Sequence, residues 1–275
     1  MRFVRFDTDW GTCWGRLEGS QIHVLSQGPY LGGVETGEVL SASGIRLLAP
    51  CEPSKVLGVG LNYADHRGDR RGSDSLVAGI VDRALGHDRE SHREPILFLK
   101  APSAVVGPGA AIVLPSNAQR VDYEAELAVV IGHRLHRPTR QQVLEGIFGY
   151  TCANDVSARD LQERDGQWMR AKSFDTFCPV GPWVETELDP SDLALDGLLN
   201  GEVRQHARTS HMLVGTLELV RFAAQVMTLL PGDILLTGTP TGVGVLRPGD
   251  HFTVRIEGIG ELQNAVEADS HSGAV

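Results

Sequence analysis

Short extended apolar runs separated by turn residues recur along this chain, and stretches with a helical period are few. The first 50 residues read as three short strands, MRFVRFDT, GTCWGRLEG and QIHVLS, with a turn at Glu18–Ser20 between the second and third. Pro50 and Pro53 break the chain before an apolar strand over 55–59, and strand-like runs resume at 96–99, 111–114, 123–131, 234–237 and 252–256. A helix is predicted to start near Thr139, where Thr139 and Gln142 have capping-box spacing ahead of Val143, Leu144 and Ile147. A second helix is predicted over 216–229, with Leu217, Val220, Ala224 and Met227 along one face and a stop at Pro231-Gly232.

Between 67 and 94 the pattern changes. The segment is polar and charged around one apolar patch, in which Leu76, Ile80 and Leu85 have roughly helical spacing. A stretch of this kind inside a domain reads as an insertion or lid. Strands predominate and no regular strand–helix alternation is present, so the expected fold class is α+β with a β-rich core. The expected organisation is a small N-terminal β-subdomain over 1–50 and a catalytic domain over 51–275.

Composition narrows the function classes. A hydrophobic content of 41% with 22% charged residues is that of a globular chain, which argues against disorder. The formal net charge of −10 disfavours a nucleic-acid partner, because phosphate contacts need clustered Lys and Arg. A small anionic substrate stays open, since a bound divalent cation reverses the local field. No secretory h-region is visible and no stretch approaches the roughly 20 apolar residues that span a bilayer. Cys13, Cys51, Cys152 and Cys178 form no CxxC pair, so reduced thiols and a cytoplasmic location are expected.

Candidate chemistry concentrates in Asp122-Tyr123-Glu124-Ala125-Glu126. On a strand Glu124 and Glu126 would share one face with Cβ atoms roughly 7 Å apart, close enough to converge on one ion. Two like charges in an apolar strand are costly unless neutralised, and oxygen-only ligation selects Mg²⁺, Mn²⁺ or Ca²⁺ over Zn²⁺. The same pattern also fits a solvated strand face. A third ligand is offered by Asp155, placed where the apolar run before Asn154 ends; that position equally suits a turn or a helix N-cap.

The runs DYEAELAVVIG, GYTCANDVSARDLQ, AKSFDTFCPVGPW, NGEVRQ, LLPGDILLTGTPTGVG and IEGIGEL, in this order, resemble the fumarylacetoacetate hydrolase family. The likeness runs from about Val56 to the C-terminus, apart from 67–94. It implies a mixed β-roll around a central pocket, usually in a homodimer, and it implies that Glu124, Glu126 and Asp155 are metal ligands, with Mg²⁺ the first expectation. Lys172 matches a catalytic position, and Arg159, Gln162 and Thr239 match positions near the substrate. A Lys can hold a carboxylate or a developing enolate, and a Gln can orient a polar group.

Hydrolytic relatives carry a short NYxxHxxE lid. This chain reads Asn62-Tyr63-Ala64-Asp65-His66-Arg67-Gly68-Asp69, so His66 matches while Asp69 stands where Glu would be. Asp is one methylene shorter, which lengthens any His–carboxylate pair. The resemblance implies metal-dependent hydrolysis of a C–C bond in an acylpyruvate-like β-diketo acid, with the cation holding an enolate and His66 activating water. Decarboxylation or isomerisation of an oxaloacetate- or hydroxymuconate-like acid at the same metal site is the alternative. A binding scaffold without turnover is a third reading, of a different class.

Overall fold

The computed structural model describes residues 1–63 and 94–270. The insertion expected over 67–94, with Leu76, Ile80 and Leu85, therefore lies almost wholly outside the described residues. Strands dominate, and four α-helices are present among the described residues, as expected for a β-rich α+β fold.

The N-terminal segment is an antiparallel meander of Arg2–Thr8, Gly11–Glu18, Gln21–Leu25 and Glu35–Ser41. The first three strands are those read from the alternation, and Gly19 makes the turn with φ 58°. The fourth, ETGEVLS, has no apolar alternation to announce it, because it is an exposed edge strand. Val4, Phe6, Ile22 and Val24 bury a small core of their own beneath Trp183. The meander nonetheless joins the main sheet, since Arg2 pairs with Glu185 and Phe3 with Val184 on the strand Cys178–Glu185.

At the centre of that sheet is Ala125–Ile131, all seven residues buried, between Ile147–Asn154 and Ile234–Leu236. A strand covered on both faces loses its alternation and becomes a continuous apolar run, which explains AELAVVI. Ile234–Leu236 continues in parallel to Val56–Gly60, and Ile96–Lys100 closes the edge. A five-stranded sheet, Glu202–Arg208, Ala194–Leu199, His251–Ile256, Gly260–Ala268 and Ile112–Leu114, shares one core with the main sheet.

The helix at Thr139 is present as Arg140–Gly146 with its capping box formed: Thr139 Oγ1 accepts from Gln142 N and Gln142 Oε1 from Thr139 N. The second helix, Thr216–Val226, ends three residues before the expected 229. Its buried stripe is Leu219, Val220, Ala223 and Ala224, while Leu217 is only partly buried. The chain leaves the helix at Met227 because Leu229 enters a β-bridge with Leu135.

One difference positions the site. The single strand expected over 123–131 is two strands in two sheets. Val121–Tyr123 pairs with Ser157–Ala158 and Gly244–Val245, whereas Ala125–Ile131 belongs to the main sheet. Glu124 sits at the switch between them, in neither strand.

Candidate metal centre and active site

Because the ladder is interrupted at Glu124, its backbone bonds elsewhere. Its N–H donates to Asn154 Oδ1 at 2.9 Å, and its carbonyl accepts from Asp155 N at 2.9 Å. These two bonds fasten the end of Ile147–Asn154 to the sheet switch and bring Asp155 beside Glu124. Glu126, one residue into the strand, accepts from Gly238 N at 2.6 Å. Gly238 has φ 95°, and a Cβ there would stand 2.8 Å from Asn62 Cβ, so the amide reaches Glu126 only as glycine.

Glu124, Glu126 and Asp155 are all buried, and each brings an oxygen within 4.8 Å of the others. The three residues expected as ligands do come together, through a sheet switch and a strand end, and not through one strand face. A donor set of three buried carboxylate oxygens without His or Cys fits a hard divalent cation. Burial, and then the charges of Asp155 and Glu124, push the Glu126 carboxyl well above the usual range; Lys172 and the Gly238 amide offset only part of this.

Three buried cations surround the carboxylates. Lys172 Nζ donates to Glu124 Oε2 at 2.8 Å and to Asp155 Oδ2 at 2.6 Å. Lys100 Nζ donates to Asp155 Oδ1 at 2.5 Å and to the Val156 carbonyl at 3.2 Å. Arg159 donates through Nε to Asp122 at 3.0 Å, through Nη1 to Gln162 Oε1 at 3.0 Å, and through Nη2 to Glu124. For Lys172, burial opposes the charge, but Asp155 and Glu124 outweigh it and the ammonium titrates above its ordinary value. Burial opposes the charge on Arg159 too, and again Glu124 and Asp122 prevail.

Arg159 has no acceptor atom, so its bond to Gln162 Oε1 fixes the amide orientation and leaves the Gln162 nitrogen as the group available for a ligand. Thr239 is committed differently. Its hydroxyl donates to Ala125 O at 2.8 Å and accepts from Gln205 Nε2 at 2.8 Å, so it supports the strand carrying Glu126 and has no proton left for a substrate. Glu124, Glu126, Arg159, Gln162, Thr239 and Trp168 line one cleft with the Val59–Leu61 segment.

Of the residues expected at the site, Glu124, Glu126, Asp155, Lys172, Arg159, Gln162 and Thr239 are gathered here; His66 and Asp69 lie outside the described residues. Sequence reasoning missed Lys100, Asp122, Gln205 and Trp168. A signal for Lys100 existed: ILFLK is an apolar strand that ends in a lysine, and that lysine is fully buried.

Residues 55–267 match the family model described as fumarylacetoacetate (FAA) hydrolase, C-terminal. The chain belongs to the fumarylacetoacetate hydrolase family. Residues 1–50 match a separate model, Rv2993c-like, N-terminal. Among solved structures, a 5-carboxymethyl-2-hydroxymuconate delta-isomerase from Mycobacterium smegmatis shares 42% identity at a TM-score of 0.87, covering 98% of this chain and 100% of that one. The mitochondrial oxaloacetate tautomerase FAHD2A of Bos taurus is 42% identical over 241 residues, 83% of this chain and 71% of that protein. The maleylpyruvate hydrolase of Sphingobium sp. SYK-6, solved with manganese(II) and pyruvate, is 28% identical at a TM-score of 0.75, covering 98% of this chain and 99% of that one. This member of the fumarylacetoacetate hydrolase family thus shares its fold with an isomerase and a hydrolase. None of its described helices is long and apolar enough to cross a membrane.

Proposed function

We propose that this chain catalyses keto–enol tautomerisation of a short 2-oxo dicarboxylic acid of the oxaloacetate type, with Mg²⁺ or Mn²⁺ held by Glu124, Glu126 and Asp155. The observation that carries this reading is the orientation of the polar groups beside the carboxylates. Lys172 places an ammonium between Glu124 and Asp155, and Arg159 donates to Gln162 Oε1, which leaves the Gln162 amide nitrogen as a donor on the cleft wall. Donors alone suit an acceptor-rich ligand that gains negative charge during reaction, as an enolising 2-oxo acid does. The similarity to an oxaloacetate tautomerase supports the same chemistry.

When bound, the cation supplies Lewis-acid polarisation of the 2-oxo group. Lys172 places its positive charge where the enolate oxygen develops, and Gln162 Nε2 donates to the substrate carboxylate. Arg159 holds Gln162 and Glu124 in one network, so neither has to reorganise as charge moves. Trp168 and the Val59–Leu61 segment supply the apolar side of the cleft. The proton leaving C3 needs a base, for which the sequence offers His66.

A second reading, hydrolysis of an acylpyruvate-like C–C bond, is favoured by His66 within Asn62-Tyr63-Ala64-Asp65-His66 and by the maleylpyruvate hydrolase similarity. One assay separates the two. The loss of enol absorbance of oxaloacetate is followed with Mg²⁺ or Mn²⁺, beside product analysis for acetylpyruvate cleavage. Cation-dependent acceleration of the enol-to-keto step is expected. Acetylpyruvate cleavage with no effect on oxaloacetate would replace this reading by hydrolysis.

A further inference from the structure

The strand Val56–Gly60 reads VLGVG, and its two glycines lie on one face. Both are covered by aromatic rings. A Cβ at Gly58 would stand 2.1 Å from Phe98 Cζ, and one at Gly60 would stand 2.7 Å from Trp168 Cζ3. Phe98 is the direct cross-strand partner of Gly58, and its ring centroid is 5.4 Å from that of Trp168, tilted by 59°. The glycines therefore form a track without side chains on which a two-ring slab rests. No residue with a Cβ could replace Gly60 without pushing the indole out of place.

The slab is tied to the reactive groups. Trp168 is buried, and its carbonyl accepts from Lys172 N at 3.1 Å, so the indole and the Lys172 ammonium are carried by the same helical turn, Met169–Lys172 with Trp168 at its N-cap. Lys172 Nζ also lies 4.8 Å from the Phe98 centroid. The indole lines the cleft together with Glu124, Glu126 and Gln162. An acid whose carboxylate and 2-oxo group point at the carboxylate triad has the Trp168 indole among the walls that its other end can meet.

We propose that Trp168, seated on Gly60, is the specificity-determining wall of the site and limits how long a 2-oxo acid the cleft accepts. This rests on the reading above only in that a 2-oxo acid binds with its chelating end at the triad. Phe98 holds the indole from behind, and the fixed turn to Lys172 keeps the wall at a constant distance from the reacting oxygen. Each added methylene then meets the ring face, and a tight pocket discriminates by roughly 10–200-fold per methylene.

The test uses Mn²⁺-loaded wild type, Trp168→Ala and Trp168→Phe, with oxalate and N-alkyl oxamates from methyl to hexyl as non-reacting chelators, measured by calorimetry. Oxalate, which fills only the chelating end, should bind all three proteins within about threefold. Wild type should lose affinity steeply with alkyl length, and Trp168→Ala should recover at least about tenfold for the hexyl compound, with Trp168→Phe between them. The same length profile in wild type and Trp168→Ala would overturn the proposal while leaving the proposed function standing. A loss of oxalate binding in both variants would also overturn it, by making Trp168 a support of the ion site. If wild type binds neither oxalate nor any oxamate, the functional reading fails, and the wall falls with it.

Discussion

Lys100 Nζ donates to Asp155 Oδ1 at 2.5 Å, both side chains being fully buried, so the carboxylate that completes the acidic triad is anchored from the strand Ile96–Lys100. Removing Lys100 takes away one of the two buried ammonium groups on Asp155, Lys172 being the other. Lys100→Met is expected to lower the unfolding free energy of the metal-free protein by about 1.5–3 kcal/mol, read by denaturant titration. The double variant Lys100→Met with Asp155→Leu should recover part of that loss. A single-variant loss under about 1 kcal/mol would mean that the pair is solvated and Asp155 is not held this way.

The triad predicts an ion-dependent stability. In wild type, Mg²⁺ or Mn²⁺ at a hundredfold excess over Kd should raise Tm by roughly 5–10 °C, since mass action then contributes about 2.7 kcal/mol. Glu124→Ala and Asp155→Ala should abolish this shift, with calorimetry showing no ion uptake. An undiminished shift in either variant would place the ion elsewhere.

Glu126 gives the pH dependence its sign. Its carboxyl is raised above the ordinary 4.5 by burial and by Asp155 and Glu124, so the folded protein holds a proton that the unfolded chain gives up. The stability from this group is complete below the unfolded value and is lost as pH rises through the raised folded value. The Tm of the metal-free protein should therefore fall relative to Glu126→Gln on going from about pH 4.5 upward. Ion binding should release a proton in wild type and not in Glu126→Gln at the same pH. Parallel Tm curves for the two proteins would remove the argument.

Thr239 separates support from contact. Its hydroxyl bonds Ala125 O and Gln205 Nε2, so Thr239→Ser should keep both stability and activity. Thr239→Val leaves a buried carbonyl and amide with lost partners and should cost about 1–3 kcal/mol, seen in chemical denaturation. If Thr239→Val instead raises KM with unchanged stability, the hydroxyl contacts substrate directly.

Much of the site was legible because its residue types are improbable where they stand. Glu124 and Glu126 interrupt an otherwise apolar run, and Asp155 ends another, which made them candidates, and the family resemblance then singled them out as a set. Lys100 passed unnoticed because a lysine at a strand end is usually solvated, and only the third dimension shows that this one points into the core. Trp168 was silent for a similar reason. Nothing in GQWMR says that its ring will lie on Gly60, more than a hundred residues earlier.

Alternation and composition determined the β-rich class, the first three strands and the capping-box helix, since these follow from interactions a few residues apart. The tertiary structure decided what depends on distant segments meeting. Glu124 leaves the strand because Val121–Tyr123 finds partners in Ser157–Ala158 and Gly244–Val245, while Ala125–Ile131 finds others in the main sheet. The Thr239 hydroxyl has no proton left for a ligand because Ala125 O accepts it, while Gln205 Nε2 donates to its oxygen. Local physics selects which residues are unusual; which atoms they present to a ligand is fixed only when buried polar groups have competed for partners across the whole fold.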